Sequence, residues 1–336
     1  MPNFWKKLPK PFFALAPMEE VTDTVFRQVI ADLGKPDVFF TEFVNVDGLC
    51  SKGREKVIHR LQFSAKEQPI VAQIWGLMPE NFYQIAKELV GMGFAGIDIN
   101  MGCPEKNVIK KGACAALIEN RSLAAEIITA TKKGANGLPV SIKTRIGYNS
   151  IVTDDWIGFL LKQKLDALTI HGRTVREMSD VNAHWDEIGK AVKMRDELQQ
   201  VHIGSDTTST SDVKKVQTLI IGNGDVKDRA DGLRKAKQYE VDGVMIGRAI
   251  FKNLWVFNSK NPNPEVSVGE RLDLLLKHTR LFDTTWGNKK YFGILKKFYK
   301  IYCQGFPGAS SLREKLMRAQ SVAEVEEVVN EFKNNS

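Results

Sequence analysis

Eight short apolar runs, each rich in β-branched or aromatic residues, recur through the first three-quarters of the chain: FFALAP (12–17), VFFTEF (38–43), IVAQIW (70–75), GIDIN (96–100), VSIKTR (140–145), ALTIHG (167–172), TLIIGNG (218–224) and GVMIGR (243–248). Runs of this length and composition read as buried strands. Most are separated by segments with helical periodicity. In PENFYQIAKELVGMG (79–93), Phe82, Ile85, Ala86, Leu89 and Val90 follow the i, i+3, i+4 spacing, and RSLAAEIITATKKG (121–134) reads the same way. Strand and helix alternating eight times within about 250 residues is the pattern of a (β/α)8 TIM barrel. A doubly wound open sheet is the competing architecture, but no Gly-x-Gly-x-x-Gly follows the first strand, where such a sheet carries its phosphate turn.

With 336 residues and 43% hydrophobic content, the chain can bury a core for this barrel and for a smaller second unit. The pattern changes near Leu254: strands stop, the spacer NSKNPNPEVSVGE (258–270) intervenes, and helical segments follow. The expected division is a barrel over 1–253 and a helical domain over 254–336. One connection is too long for a barrel: after a helix ending near Leu198, the polar stretch 199–217 precedes the seventh run. Joining a helix to the next strand, it is expected to be a peripheral insertion on the face away from the chemistry. No run of about 18 apolar residues and no secretory signal is present, so a cytoplasmic protein is expected. The four cysteines, Cys50, Cys103, Cys114 and Cys303, show no Cys-x-x-Cys pair, and His59, His184, His202 and His278 show no metal-ligand spacing. No metal is expected.

In a barrel of this kind the functional side chains leave the C-terminal ends of the strands. The residues ending the apolar runs are Glu42, Gln73, Asn100, Lys143 with Arg145, His171 with Arg173, Asn223 with Asp225, and Arg248. Singly, each could be a cap or an ion pair; together they converge on one mouth. GNGD (222–225) and IGRA (246–249) supply glycines after the seventh and eighth strands, the usual phosphate position in this fold, and Arg248 adds a planar donor fork. With Lys143 and His171 nearby, these loops suggest a phosphorylated cofactor. Across the mouth, Ala16, Pro17 and Met18 offer a backbone edge and Gln73 an amide, groups that suit the hydrogen-bonding edge of a flavin.

The segments LAPMEEVTDTVFR (15–27), TEF (41–43), INMGCPEKNVIKKGACAALI (99–118), SIKTRIG (141–147), HGRT (171–174), IGNGDV (221–226), DGVMIGRAI (242–250) and FPGASSLREKL (306–316) resemble, in order, the motifs of the tRNA-dihydrouridine synthases. That resemblance implies an FMN enzyme that reduces the C5–C6 double bond of uridines in tRNA, with NADPH as reductant. It matches Ala16, Pro17, Met18, Gln73, Lys143, His171, Asn223, Asp225, Gly247 and Arg248 to FMN contacts, and Asn100 and Arg173 to positions that hold substrate or order the site. It matches Cys103 to the proton donor: hydride added at C6 leaves an enolate, and an acid on the opposite face must protonate C5. A thiol with a pKa of about 8.5 is mostly protonated at neutral pH. The chain departs from the family after HGRT, with Glu177 and Ser179 where glutamine and tyrosine are usual, and at Cys114, where glycine is commoner; a small buried thiol is expected there.

A net charge of +8 is compatible with a polyanionic partner. Between Arg271 and Arg318, eleven Lys or Arg stand against three acidic residues. Within NKKYFGILKKFYKIY (288–302), read as one helix, Lys289, Lys296, Lys297 and Lys300 fall near one face and Ile294, Leu295, Phe298 and Ile301 can face a core. Beside the mouth, this face is expected to meet tRNA phosphates through Lys296, Lys297 and Lys300, and Lys106, Lys110 and Lys111 extend the charge from the cysteine loop. The alternatives are a flavin barrel acting on a free pyrimidine or another small enone, which leaves the basic helices without a role, and a non-catalytic tRNA-binding protein, which predicts an eroded thiol or flavin motif.

Overall fold

The computed structural model describes residues 3–204 and 218–335, with the side chains of 199–204 outside that description. Eight parallel strands form a nearly closed barrel. They are β1 (Phe12–Leu15), β2 (interrupted, Phe39–Phe40 and Val44–Asn45), β3 (Ile70–Trp75), β4 (Gly96–Met101), β5 (Val140–Gly147), β6 (Ala167–Thr174), β7 (Leu219–Asn223) and β8 (Gly243–Ile246). Each pairs with its sequence neighbour from β2 onward; β8 returns to β1 with Phe12 opposite Gly243, and β1 meets the start of β2 through one bridge, Ala14 to Val38.

The helices that cover the barrel are α1 (Thr24–Gly34), α2 (Pro79–Gly91), α3 (Arg121–Ala135), α4 (Thr153–Leu161), α5 (Trp185–Gly204) and α6 (Arg229–Tyr239). Their apolar faces explain them: in α2, Phe82, Ile85, Ala86 and Leu89 are the buried positions and Pro79 opens the first turn. The alternation is less regular than expected. Between β2 and β3 there is no long helix but a series of short turns from Val46 to Glu67, and α5 runs to Gly204 rather than ending near Leu198. The rest of the expected insertion, 205–217, lies outside the described residues.

Side chains alternate across each strand, and the two faces are distinct. One set packs against the helices; the other, including Phe12, Ala14, Ala16, Val38, Phe40, Val71, Ala167, Leu219, Ile221 and Met245, fills the barrel interior with Trp5. Trp5 lies in the N-terminal turn Phe4–Lys7 with its ring 5.7 Å from that of Phe12, so it closes the end where the strands begin. At the opposite end the same inward positions become polar.

A helical C-terminal region follows β8: α7 (Val268–Trp286), α8 (Ala309–Arg318) and α9 (Val322–Asn334). Ser267 and Glu270 form a reciprocal cap that starts α7. The region rests on α1, where the Phe26 ring lies 5.0 Å from Phe298 and Lys277 reaches Asp32. The expected helix over 288–302 forms only in part. A 3-10 turn at Gly287–Lys289 is followed by extended Lys290, and a 3-10 helix (Phe292–Phe298) then runs into a short α-helix (Tyr299–Tyr302); at the break, Lys290 is bound to the barrel, its Nζ 3.2 Å from Asp23 and 3.8 Å from Glu42. Among the described residues no helix is long and apolar enough to cross a membrane.

Candidate active site

Continuing the inward alternation toward the strand ends gives Gln73, Asp98, Asn100, Lys143, Arg145, Thr169, His171, Arg173 and Asn223. Within β5 the only position that is not fully buried is Lys143, and within β6 it is His171. Two inward side chains that stay half-open inside otherwise sealed strands mark a depression at the mouth. Below it, the hydroxyl of Thr169, which is paired in register with Lys143, is buried with no hydrogen-bond partner among the described residues.

A hydrogen-bonded chain runs along one side. Ser141 donates to Asp98 (2.6 Å), Gln73 Nε2 donates to Asp98 (2.7 Å), Asn100 Nδ2 donates to Gln73 Oε1 (3.0 Å), and Asn100 Oδ1 accepts from the backbone N–H of Gly102 (3.1 Å) and Cys103 (3.0 Å). Arg145 holds the same loop from the other side, donating to Gly102 O at 2.8 Å and to Thr174 O at 3.0 Å. The Cys103 loop is therefore fixed at its base by an amide and a guanidinium. Burial pushes the Cys103 thiol above its ordinary value, against the opposing pull of a backbone hydrogen bond and Arg145, so it is protonated through the neutral range.

Burial, with the Arg145 charge next, lowers Lys143 to about 8. Its ammonium has no hydrogen bond or ion pair among the described residues, and Asp98, raised by burial to about 6, is the acid that most favours its charge. Burial, followed by the surrounding Lys143, Arg145, Arg173 and Arg248, holds His171 well below its usual value, so the imidazole is neutral and can donate one hydrogen bond while accepting another.

The opposite rim is built by β7 and β8. Asn223 donates to Met245 O at 2.9 Å; Gly224 adopts φ +120°, and a Cβ there would meet His171 Cδ2 at 3.1 Å and Ala183 Cβ at 2.7 Å. Only glycine allows this loop to lie so close to the mouth. Arg173 is buried, donating to Val181 O (2.7 Å) and Asp225 Oδ2 (2.5 Å). Burial opposes ionisation of Asp225, but hydrogen bonds from Arg173 and Ala183 outweigh it and keep the carboxyl below its ordinary value. Arg248 is exposed and only 3.4 Å from Asp225, leaving most of its fork available. Gly247 precedes it, and Ala16 N–H bonds Ile246 O at 2.8 Å, which sets Ala16, Pro17 and Met18 beside the eighth strand.

The mouth thus brings together every expected cofactor position, with Asn100 and Cys103. The lysines are more dispersed. Lys296 donates to Met317 O (2.7 Å), Lys297 pairs with Glu20 (3.0 Å) at the rim, and Lys300 is exposed with no partner among the described residues. Several other charges of the basic segment are matched by acids outside it, Arg280 by Glu326 and Lys315 by Glu331 among them. Lys106, Lys110 and Lys111 are exposed. Arg145 is one of the expected strand-end residues, whereas Asp98 is not, although it sits two residues before Asn100 on the same strand face. The remaining candidates are structural: His278 is buried on Tyr302 OH (2.8 Å), His184 pairs with Glu177 (3.0 Å), and His59 lies edge-on to Trp286. The His202 side chain is outside the described residues. Cys303 and Cys114 are buried and Cys50 is exposed. Cys114 has φ +53°, a left-handed conformation that explains why glycine would suit its place. Among the described residues no group of three or more His, Cys, Asp or Glu could hold a metal.

A family model described as "Dihydrouridine synthase (Dus)" matches residues 14–203 and 206–336. The "Probable tRNA-dihydrouridine synthase" of Staphylococcus aureus (strain COL) is 47% identical over 333 residues, covering 98% of this chain and 95% of that protein. The "Probable tRNA-dihydrouridine synthase 2" of Bacillus subtilis (strain 168) is 46% identical, with 98% and 96% coverage. Among solved structures, a variant of NCR from Zymomonas mobilis gives a TM-score of 0.46 at 12% identity, covering 76% of this chain and 89% of that one.

Proposed function

The chain belongs to the dihydrouridine synthase family, and from that premise we propose that it reduces the C5–C6 double bond of uridines in tRNA, with FMN bound at the barrel mouth and NADPH as the source of electrons. The observation that carries the reading is the half-open depression containing Lys143 and His171, with the protonated thiol of Cys103 on its rim. The Lys143 ammonium and Thr169 hydroxyl, both without a partner among the described residues, and the close approach at Gly224 are what a flavin would need there. When bound and reduced, the flavin supplies the hydride that adds to C6.

The chain's own residues do the rest. Lys143 and His171 offer hydrogen bonds to the ring, Ala16, Pro17 and Met18 its backbone edge, and Gln73 the remaining capacity of its amide. Asn223, Asp225, Gly247 and Arg248 form the phosphate end, where Arg248 supplies the charge and Asp225 orients it together with Arg173. Asn100 and Arg145 hold the loop so that the Cys103 Sγ proton can be delivered to C5 of a base lying across the mouth. The region from 254 to 336 would act as the tRNA-binding domain, with Lys296, Lys297 and Lys300 toward phosphates. The Lys297 ion pair is a surface interaction worth about 0–1 kcal/mol, and it and the Lys296 hydrogen bond to Met317 O can be exchanged for phosphate contacts.

The protein is expected to purify yellow, with non-covalent FMN, and Lys143→Ala to lose it. Because the Lys143 charge is present below about 8 and lost above it, FMN affinity of the apoprotein should fall as pH rises through that value, while Lys143→Arg should stay flat. Full FMN retention by Lys143→Ala, measured by absorbance after gel filtration, would remove Lys143 from the site. Affinity for tRNA should fall steeply with salt, and replacing Lys296, Lys297 and Lys300 should flatten the log–log slope by about one per lost phosphate contact. An unchanged slope would return these lysines to a solvated surface.

A further inference from the structure

We propose that Tyr291 is a stacking platform for an unpaired base of tRNA, separate from the base that is reduced; this rests on the preceding reading that tRNA is the substrate. Tyr291 is 71% exposed and is the one aromatic among the described residues to stand so far out of the surface. A solvated phenol ring at the end of a mobile side chain would mean little. This ring is held.

Its backbone is held on both sides. Lys290 is extended (φ −124°, ψ +144°), so the side chains of residues 290 and 291 point in opposite directions. Lys290 turns inward, with its Nζ on Asp23, near Glu42, and 4.1 Å from the centre of the Trp286 ring. Tyr291 therefore turns outward, at the start of the turn Phe292–Phe298. The ring then folds over Gly293: a Cβ built there would lie 2.3 Å from Tyr291 Cε1. The missing Cβ lets one face of the ring lie on the backbone while the rest stays exposed. A ring ordered before binding loses little entropy when a ligand covers its free face.

The chemistry beside the ring favours a base over a phosphate. Tyr291 borders a cleft of about 690 Å³ shared with Asp283, Asn288, Lys290, Gln320 and Ser321, in which the Lys290 ammonium is already committed to Asp23. Asp283 is acidic, and the start of α9 at Ser321 is already occupied by the Glu324 carboxylate, to which Ser321 Oγ donates at 3.1 Å. With Lys290 committed to Asp23, the Asp283 carboxylate leaves the cleft unfavourable to phosphate oxygens. Amides at Asn288 and Gln320 carry both donors and acceptors, the complement of a base edge, and every base offers a π face to an aromatic ring. Positive charge flanks the platform at the exposed Lys289 and, along the same segment, at Lys300. Through Lys290 the platform is tied to Asp23 and Glu42 on the rim of the mouth, so its distance from the reacting base is set by the fold.

The test uses the full FMN-loaded chain and an unmodified tRNA transcript. Tyr291→Ala should weaken tRNA binding about tenfold, leave FMN content unchanged, and raise KM without lowering the rate at saturating tRNA. Tyr291→Phe and Tyr291→Trp should bind as the wild type does, because stacking needs the ring and not the hydroxyl. The salt slope should be the same in Tyr291→Ala, since no phosphate contact is lost. Unchanged affinity in Tyr291→Ala, an equal loss in Tyr291→Phe, or a flattened slope would each overturn the inference. So would a Tyr291→Ala variant that only converts a dimer to a monomer, which would make this face a contact between copies. A wild-type chain that does not bind tRNA overturns the substrate reading itself, and this inference with it.

Discussion

In Cys103→Ala, dihydrouridine formation should slow by about 100- to 10,000-fold, the usual worth of a positioned general acid, while FMN content, flavin reduction by NADPH and tRNA binding stay near wild type. The expectation follows from how the loop is held. The amide of Asn100 and the guanidinium of Arg145 grip backbone atoms of Gly102 and Cys103, so the loop keeps its shape when the thiol is removed. Because burial raises the thiol's pKa, the proton is present throughout the neutral range, and with FMN kept saturating the wild-type rate of product formation should not fall with rising pH until beyond the ordinary thiol value. Cys114→Ala is the control. Cys114 is close enough for Ala115 N–H to reach Cys103 O at 3.4 Å, yet it is sealed from the mouth. The measurement is dihydrouridine per tRNA by mass spectrometry after single turnover with pre-reduced enzyme. A near-wild-type rate in Cys103→Ala would mean that the proton comes from another group.

What could be read ahead from the sequence depended on how local the cause was. The strands were legible because each buries both faces and so appears as a continuous apolar run, and the polar residues that end those runs do converge on one mouth. Asp98 was obscured for the same reason. It lies inside the run GIDIN and looks like an interruption of a strand, although its partners Gln73 and Ser141 make it the anchor of the chain that reaches Cys103. The tail was misread because its causes are distant. Nothing within 288–302 announces that Lys290 will bind Asp23 and Glu42, more than two hundred residues away, and the break in the helix falls at that residue. Part of the tail's charge is matched from outside it in the same way, since the acids that pair with Lys297 and Lys277 are Glu20 and Asp32 in the barrel.

The largest stability effect is expected at a residue whose motif was visible but whose role was not. Arg27, the last residue of LAPMEEVTDTVFR, is fully buried against Glu67, with Nε 2.5 Å from Oε2. Its other nitrogens donate to Thr22 O (2.5 Å) and Gln62 O (2.7 Å), while Glu67 Oε1 accepts from Thr24 Oγ1 (2.6 Å) and Ser64 N–H (2.7 Å). The pair thus ties the loop after β1, which carries Met18 and Glu20 at the mouth, to the turns that stand in place of a helix between β2 and β3. Removing one partner leaves an uncompensated buried charge, so Arg27→Met should cost about 3–5 kcal/mol. The melting temperature should drop and FMN should be held less tightly, because the loop that supplies Ala16, Pro17 and Met18 loses its brace. Replacing both partners by apolar residues removes the stranded charge, so Arg27→Met with Glu67→Leu should melt higher than Arg27→Met alone. If the double variant melts lower than the single one, the hydrogen bonds to Thr22, Gln62, Thr24 and Ser64 matter more than the charge balance, and the pair acts as a backbone clamp and not as a compensated ion pair.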